Sequence, residues 1–379
     1  MFCTVFDEEQ LTLQKVVHDF TEKKVIPQVK QLDEGTVFPW DLYNEVVKMG
    51  LHSMNEPERF GGPELNLVTC ALLMEELSKG DAGFTVTVGA NALASGPVLL
   101  AGTEEQQKLF YDIVNQGKLA AFCLTEANAG CDAGAIATTA KREGDEYIIN
   151  GTKCFITCGG VADIYTVVAS TDKSKGNKGL SAFLVERNRA GITVGKEEDK
   201  MGLRSSNTTE VVFNDVHIPI HHLIGKEGEG FKYAMMTLDK SRPLVGAVAI
   251  GVAQHALNIA SKYAKERIQF GKPIAANQAI AFMLADMATK IEVARAMVYH
   301  ACDLYDQGET FTKESAISKT FATDMAMQVT IDAVQILGGY GYSKEYPAEK
   351  LMRDVKVMQI FEGTNQIQRI VIARELLKK

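Results

Sequence analysis

At 379 residues, 46% hydrophobic and 23% charged, the chain has apolar material for two or three packed domains and is not a mainly disordered protein. Its formal charge of −8, with Lys and Arg interspersed among Asp and Glu, argues against a nucleic-acid surface. The longest apolar stretch, residues 243–253, is far short of the ~20 residues needed to cross a bilayer, so no membrane span is expected.

The N-terminal residues include Asp7, Glu8 and Glu9 and show neither a basic n-region nor an Arg/Ser-rich amphipathic start. No signal or transit peptide is expected, and the cytoplasm is the default location. From Glu8 to about Gly117 the apolar period is helical: Leu13, Val16, Val17 and Phe20 share a face, and residues 69–77 and 104–114 behave alike. Gly61-Gly62-Pro63 and Gly80-Asp81-Ala82-Gly83 punctuate these segments as turns. Residues 1–117 are therefore expected to form a helical domain.

Around Leu119 the pattern changes to short alternating or β-branched runs. Residues 146–149 are followed by Asn150-Gly151, the strongest short hairpin signal, and then by residues 152–157. Residues 163–170, 180–186, 192–195 and 210–218 continue the series at regular spacing. With no intervening helices to make a parallel sheet, residues 118–226 read as a compact β-barrel or sandwich domain.

Helical patterns return after Gly228-Glu229-Gly230, over residues 231–240, 245–267, 279–307, 313–337 and 366–377. Small residues Gly246, Ala247, Ala249, Gly251 and Ala253 suit close helix packing. The fold class expected is thus multi-domain α+β, with residues 227–379 as a C-terminal helical domain. The seven cysteines, Cys3, Cys70, Cys123, Cys131, Cys154, Cys158 and Cys302, form no CxxC pair and read as reduced structural thiols. His221-His222 has no acidic or Cys partner at ligand spacing, so no metal site is expected.

The segment Phe361-Glu362-Gly363-Thr364-Asn365-Gln366-Ile367-Gln368 puts one carboxylate in an otherwise uncharged, turn-forming stretch between two helical patterns. A base placed there can take a proton. The run Asp332-Ala333-Val334-Gln335-Ile336-Leu337-Gly338-Gly339-Tyr340-Gly341 leads towards it through Tyr346-Pro347 and Met352-Arg353-Asp354. Earlier come Phe122-Cys123-Leu124-Thr125-Glu126, ending at Gly130-Cys131-Asp132, then Phe155-Ile156-Thr157-Cys158-Gly159-Gly160, and Leu238-Asp239-Lys240-Ser241-Arg242-Pro243. Together and in this order, these segments resemble the acyl-CoA dehydrogenase family across the whole chain.

The resemblance implies that family's fold, in which the C-terminal domain is a four-helix bundle. It also implies an FAD cofactor, with Glu362 as the base that takes the α-proton of an acyl-CoA thioester. Phe122, Leu124, Thr125, Phe155 and Thr157 inherit contacts along the flavin, and Thr364 and Gln366 inherit further ones. Such a flavin needs hydrogen-bond donors near the ring atoms that gain charge on reduction. Arg267 and Phe270 of one subunit, with Gln335, Gly338 and Gly339 of another, inherit contacts to the rest of FAD, which implies an oligomer and, in this family, a homotetramer. A guanidinium fork suits a diphosphate, although helix caps ending in Gly describe the same residues.

Asp239 and Arg242 inherit contacts to CoA, although their spacing equally suits a helical i, i+3 ion pair. Cys131 stands where the family commonly has Ser or Thr, which weakens the pantetheine contact expected there. Gly363 completes the substrate side. Phe361 replaces a usual Tyr, and Gly96, before Pro97, leaves empty a place that is often bulky, which implies either a pocket wide enough for a medium-length or ring-bearing acyl group or a helix interface of small residues. The activity implied is conversion of an acyl-CoA to the trans-2-enoyl-CoA, with electrons exchanged with an electron-transferring flavoprotein. The same site run in reverse is an enoyl-CoA reductase in an electron-bifurcating complex. A catalytically silent assembly protein of this fold is the alternative from another class.

Overall fold

The computed structural model describes residues 6–35 and 37–378. Cys3 lies outside them; Cys131 is exposed, and Cys70, Cys123, Cys154, Cys158 and Cys302 are buried free thiols. The first helix, α1 (Glu8–Phe20), starts where Asp7 and Gln10 satisfy each other's backbone N–H groups at 2.8 and 3.1 Å, a capping box. Short α2 (Val29–Glu34) and α3 (Trp40–Lys48) lead to α4 (Leu67–Ser78), α5 (Ala82–Ala101) and α6 (Glu104–Val114). All residues of α4 are buried: most are apolar, and the buried Glu75 and Glu76 are paired with Arg295 and Tyr299 and with Lys79. Asp81 caps α5 through the N–H of Phe84 at 2.8 Å.

The middle of the chain forms β1 (Leu119–Cys123), β2 (Thr139–Glu143), β3 (Glu146–Thr157), β4 (Ala162–Ser170), β5 (Leu180–Glu186), β6 (Ile192–Glu197), β7 (Thr208–Pro219) and β8 (Leu223–Ile224). They make one sheet in the order β6-β7-β3-β2-β4-β5-β8, with β1 against β4. The pairing is mixed: β1 runs parallel to β4, and β2 touches β4 through one parallel pair, Thr139 with Ser170.

Asn150-Gly151 does not close a hairpin. It lies inside β3, where the register against β7 shifts between Ile149 and Gly151. The Asn150 carboxamide is engaged across the sheet: it donates to Asp215 Oδ1 at 3.0 Å and accepts from the Asp215 N–H at 2.9 Å. Asp215 takes φ 49°, as a bulge residue can. The hairpin turn is Gly144-Asp145, enclosed by the pair Glu143 and Glu146, with Gly144 at φ 60°.

The C-terminal helices are α7 (Gly230–Glu266), α8 (Gln278–Asp306), α9 (Thr312–Leu337), α10 (Gly339–Tyr342), α11 (Ala348–Met358) and α12 (Asn365–Leu376). The two patterns either side of Pro243 are one helix, α7. Proline removes the N–H that would bond the carbonyl of Asp239, and the Ser315 hydroxyl of α9 supplies that bond at 2.6 Å. The small-residue face brings α7 against its neighbours: a Cβ on Gly246 would lie 2.7 Å from Val298 Cγ2, and one on Gly251 would lie 2.1 Å from the Glu75 carbonyl oxygen. Between α7 and α8, β9 (Ile268–Gln269) and β10 (Lys272–Pro273) form a small hairpin with Phe270 and Gly271 at its tip.

By length and composition alone, Ala82–Ala101 and Gly230–Glu266 are long and apolar enough to cross a membrane. Both are packed inside the protein, with most of the apolar window buried. A charged node ties the three parts together. Lys350 of α11 reaches Asp81 at the start of α5 at 2.7 Å and Asp354 at 2.5 Å. Asp354 also accepts the Leu203 N–H from the β region at 2.7 Å, and the Ser205 hydroxyl donates to Asp81.

Candidate active site

Helix α11 ends at Met358 and α12 starts at Asn365, and the turn between them holds Glu362 at φ 54° and Gly363 at φ 90°. A left-handed Glu is held at an expense of about 1–3 kcal/mol, so its surroundings must fix it. They do. Gln368 Nε2 donates to the Glu362 and Gly363 carbonyls at 3.2 and 2.9 Å, Arg242 Nε to the Glu362 carbonyl at 3.4 Å, and Lys319 Nζ to the Gly363 carbonyl at 2.9 Å. Thr364 caps α12 through the Ile367 N–H at 3.3 Å.

The Glu362 carboxylate accepts a hydrogen bond from the Ser241 hydroxyl. Burial pushes its carboxyl above the ordinary Glu range, outweighing Ser241, Arg242 and Lys319, which all favour the charged form. Arg242 is buried and pairs with Asp239, whose carboxyl burial also pushes up while Arg242 and Thr312 pull it down. Burial likewise pushes Lys319 down to about 8, against the attraction of Glu362.

Glu362, Gly363 and Arg242 open onto a cavity of about 320 Å³ running between α4, α5, α7 and the sheet. The facing wall carries Phe122, Leu124, Thr125, Cys131, Phe155 and Thr157. Cys131 Sγ lies 3.7 Å from the Thr364 hydroxyl and so joins the two walls. The β wall is fixed from behind by a fully buried lysine: Lys153 Nζ donates to the Leu124 carbonyl at 2.9 Å and to Glu126 at 2.7 Å. Glu126 in turn accepts the N–H groups of Ala137 and Thr138 at 2.7 and 3.1 Å, and the Cys154 N–H bonds the Thr125 carbonyl at 2.9 Å. Burial pushes the Glu126 carboxyl up, but Lys153 and these donors hold it below its usual value.

Other residues singled out in the sequence lie elsewhere. Asp239 sits behind the cavity, occupied by Arg242 and by the Thr312 hydroxyl at 3.0 Å. Gln366 is exposed in the first turn of α12. A second group gathers at the far end of the bundle: Arg267 lies over the Tyr340 ring at 5.7 Å, Gln335 ends α9, and Gly338 at φ 62° and Gly339 follow it. Phe270 beside them is 99% exposed. Gly96 leaves no empty space, since a Cβ there would lie 2.3 Å from Thr237 Cγ2; it is a helix contact, and the widened pocket expected from it is absent. The open position is Gly89, where a Cβ would meet only the mobile end of Met74, 3.0 Å away.

Sequence reasoning gave no role to Ser241 or Lys319. Ser241 stood inside a quoted segment, and Lys319 shows only as a lysine among the small residues Ala316, Ser318, Thr320 and Ala322 of one helix.

The cavity fits a flavin. The hydroxyls of Thr125 and Thr157 face it without a hydrogen-bond partner among the described residues, and the Phe155 side chain, at φ 55°, stands 65% exposed beside them. An apolar cleft with two unpaired hydroxyls on one wall and a recessed carboxylate on the other suits a flavin-dependent oxidoreductase. Family models give the class its name: the N-terminal, middle and C-terminal domains of acyl-CoA dehydrogenase match residues 7–118, 121–216 and 228–377. The chain belongs to the acyl-CoA dehydrogenase family and is an FAD-dependent enzyme.

It is 46% identical to an acyl-CoA dehydrogenase of Bacillus subtilis, over 98% of each chain. The solved butyryl-CoA dehydrogenase of Megasphaera elsdenii superposes with a TM-score of 0.97 at 46% identity, covering 99% of this chain and 100% of that one. The caffeyl-CoA reductase-Etf complex subunit CarC of Acetobacterium woodii is 43% identical, over 99% of this chain and 100% of its own.

Proposed function

We propose that the chain removes the α- and β-hydrogens of an acyl-CoA thioester, with Glu362 taking the α-proton. The observation that carries this is the carboxyl of Glu362, recessed in the cavity opposite Thr125 and Thr157 and raised in proton affinity by burial. The α-proton of a thioester is weakly acidic, so a desolvated carboxylate is a better match than a solvated one. The Ser241 hydroxyl orients it. The left-handed turn leaves the Glu362 backbone N–H without a partner in the described residues, available to polarise the thioester carbonyl. Bound FAD supplies the acceptor for the hydride that leaves the β-carbon.

The cavity lining supports contact roles for Phe122, Leu124, Thr125, Phe155 and Thr157 along the flavin and for Cys131, Arg242 and Gly363 along the thioester; Thr364, beside Cys131, takes a further flavin contact in this reading. Asp239 acts through Arg242. The Arg267, Phe270, Gln335, Gly338 and Gly339 end and Gln366 meet FAD shared between subunits; the outward Phe270, Ile268 and Tyr342 support an oligomer there, a cytoplasmic homotetramer. Electrons pass to an electron-transferring flavoprotein.

The likeness to a caffeyl-CoA reductase subunit supports a second reading, in which protonated Glu362 returns its proton to the α-carbon of an enoyl-CoA. Mixing oxygen-free protein with butyryl-, octanoyl- and arylpropionyl-CoA separates the two. Bleaching of the flavin absorbance by a saturated thioester supports dehydrogenation. Bleaching by none, with reoxidation of pre-reduced flavin by an enoyl-CoA, supports the reductase.

A further inference from the structure

Lys319 of α9 is 0% exposed, and its ammonium donates to the Gly363 carbonyl and to Asn365 Oδ1, both at 2.9 Å. No carboxylate lies within 4 Å of it among the described residues. A buried ammonium without an anionic contact is expensive to keep, and a neutral donor would tether the turn as well. The charge itself therefore asks for a role.

Its partners show what it holds. Asn365 is oriented by its own amide, which donates to the Thr323 hydroxyl at 2.9 Å and to Asp324 at 2.8 Å. Gln359, on the other side of the turn, donates to the same Asp324 at 2.6 Å. Both flanks of the Glu362 turn are thus anchored to one helix, with Lys319 at the centre. The side-chain groups that bear on the pair are Ser241 and Arg242 from α7 and Asp324 from α9, with Asp239 behind Arg242. Asp239 is paired with Arg242, and Asp324 with Arg369 at 2.9 Å. Arg242 and Lys319 are the two cations whose charges act on Glu362, and of the two only Lys319 makes no ion pair among the described residues.

We propose that Lys319 is the positioning residue of the base: its ammonium clamps the Glu362–Gly363 turn and its charge favours the ionised form of the Glu362 carboxyl. The inference rests on the reading of Glu362 as the base. Desolvation lifts that carboxyl, and Lys319 is one of three groups opposing the lift. Removing the ammonium leaves the base protonated to higher pH, so the acid limb of the reaction moves upwards.

The test is the pH dependence of single-turnover flavin bleaching by butyryl-CoA in the FAD-loaded wild type, Lys319→Met, Lys319→Gln and Lys319→Arg, with thioester Kd and flavin content measured alongside. Bleaching by the wild type that is lost in Glu362→Gln establishes the base reading independently; a Glu362→Gln variant that bleaches as the wild type does overturns that reading and not merely the part of Lys319. With a reactive wild type, Lys319→Met moves the acid limb up by about one pH unit and slows bleaching at pH 7 about tenfold, with Kd changed less than about twofold. Lys319→Arg restores the limb. Lys319→Gln, which keeps a donor and loses the charge, moves the limb as Met does and carries the test if Met does not fold. A limb at the wild-type position in a folded Met or Gln variant overturns the proposal.

Discussion

Ser241 donates its hydroxyl hydrogen to the Glu362 carboxylate from helix α7, across 121 residues of sequence, so the candidate base faces the cavity already hydrogen-bonded. The bond favours the charged form against burial, which favours the neutral one. Ser241→Ala removes a donor and leaves the desolvation. A hydrogen bond to a charged group contributes about 1.5–3 kcal/mol, so the acid limb of flavin bleaching should rise by about one to two pH units. Rates of variant and wild type should converge well above the limb. Stopped-flow bleaching across pH checks this; a limb that stays in place shows that the hydroxyl does not bear on the proton.

The same raised proton affinity makes a statement about stability. A carboxyl whose folded pKa lies above its unfolded value favours the fold fully below about pH 4.5 and loses that contribution as the pH rises through the folded value. Glu362→Gln, neutral at every pH, does not lose it. The variant should therefore melt above the wild type at pH 8 and match it near pH 4.5. Calorimetry at the two pH values reads the gap, and a variant that melts lower at pH 8 contradicts the sign.

Gly89 and Gly96 both line the cavity, yet they should answer a larger side chain in opposite ways. Gly89→Val meets only the flexible end of Met74, 3.0 Å away at Cε, which can shift, and so shortens the room for the acyl chain. Octanoyl-CoA turnover should fall about tenfold more than butyryl-CoA turnover. Gly96→Ala drives a methyl into Thr237 and should destabilise by about 1–3 kcal/mol with the chain-length preference unchanged. Turnover ratios and urea midpoints of the two variants separate the cases.

Lys350 joins Asp81 and Asp354 in a site where all three are buried. Lys350→Met leaves two carboxylates without their cation and should cost about 3–5 kcal/mol at pH 7. The loss should shrink as the pH falls, because Asp354, whose carboxyl burial already pushes up, takes a proton. Urea unfolding at pH 7 and pH 5 measures both; a loss independent of pH assigns the effect to packing alone.

Much of the architecture was legible because it is written in local periods. The helix over 104–114 and the strand over 180–186 have the limits their patterns predict. Where one side chain has a distant partner, the local signal misled. Asn150-Gly151 is a strong turn dipeptide, but its amide is taken by Asp215, 65 residues away. Pro243 should end a helix, but Ser315, 76 residues from Asp239, satisfies the carbonyl it frees. The cavity-facing segments around Thr125, Thr157 and Glu362 were visible as motifs, whereas Lys319 was not, since only the fold brings it to Gly363. Gly96 left two readings open, pocket or helix interface, and only its neighbour Thr237, on another helix, decides for the interface.

The most direct test of Glu362 as the base compares wild type and Glu362→Gln, both with FAD bound, on mixing with butyryl-CoA, or with whichever thioester bleaches the wild type, in the absence of oxygen. Loss of a positioned base should slow bleaching by about a thousandfold while thioester binding persists. A Gln variant that bleaches at the wild-type rate would place the proton-abstracting group elsewhere.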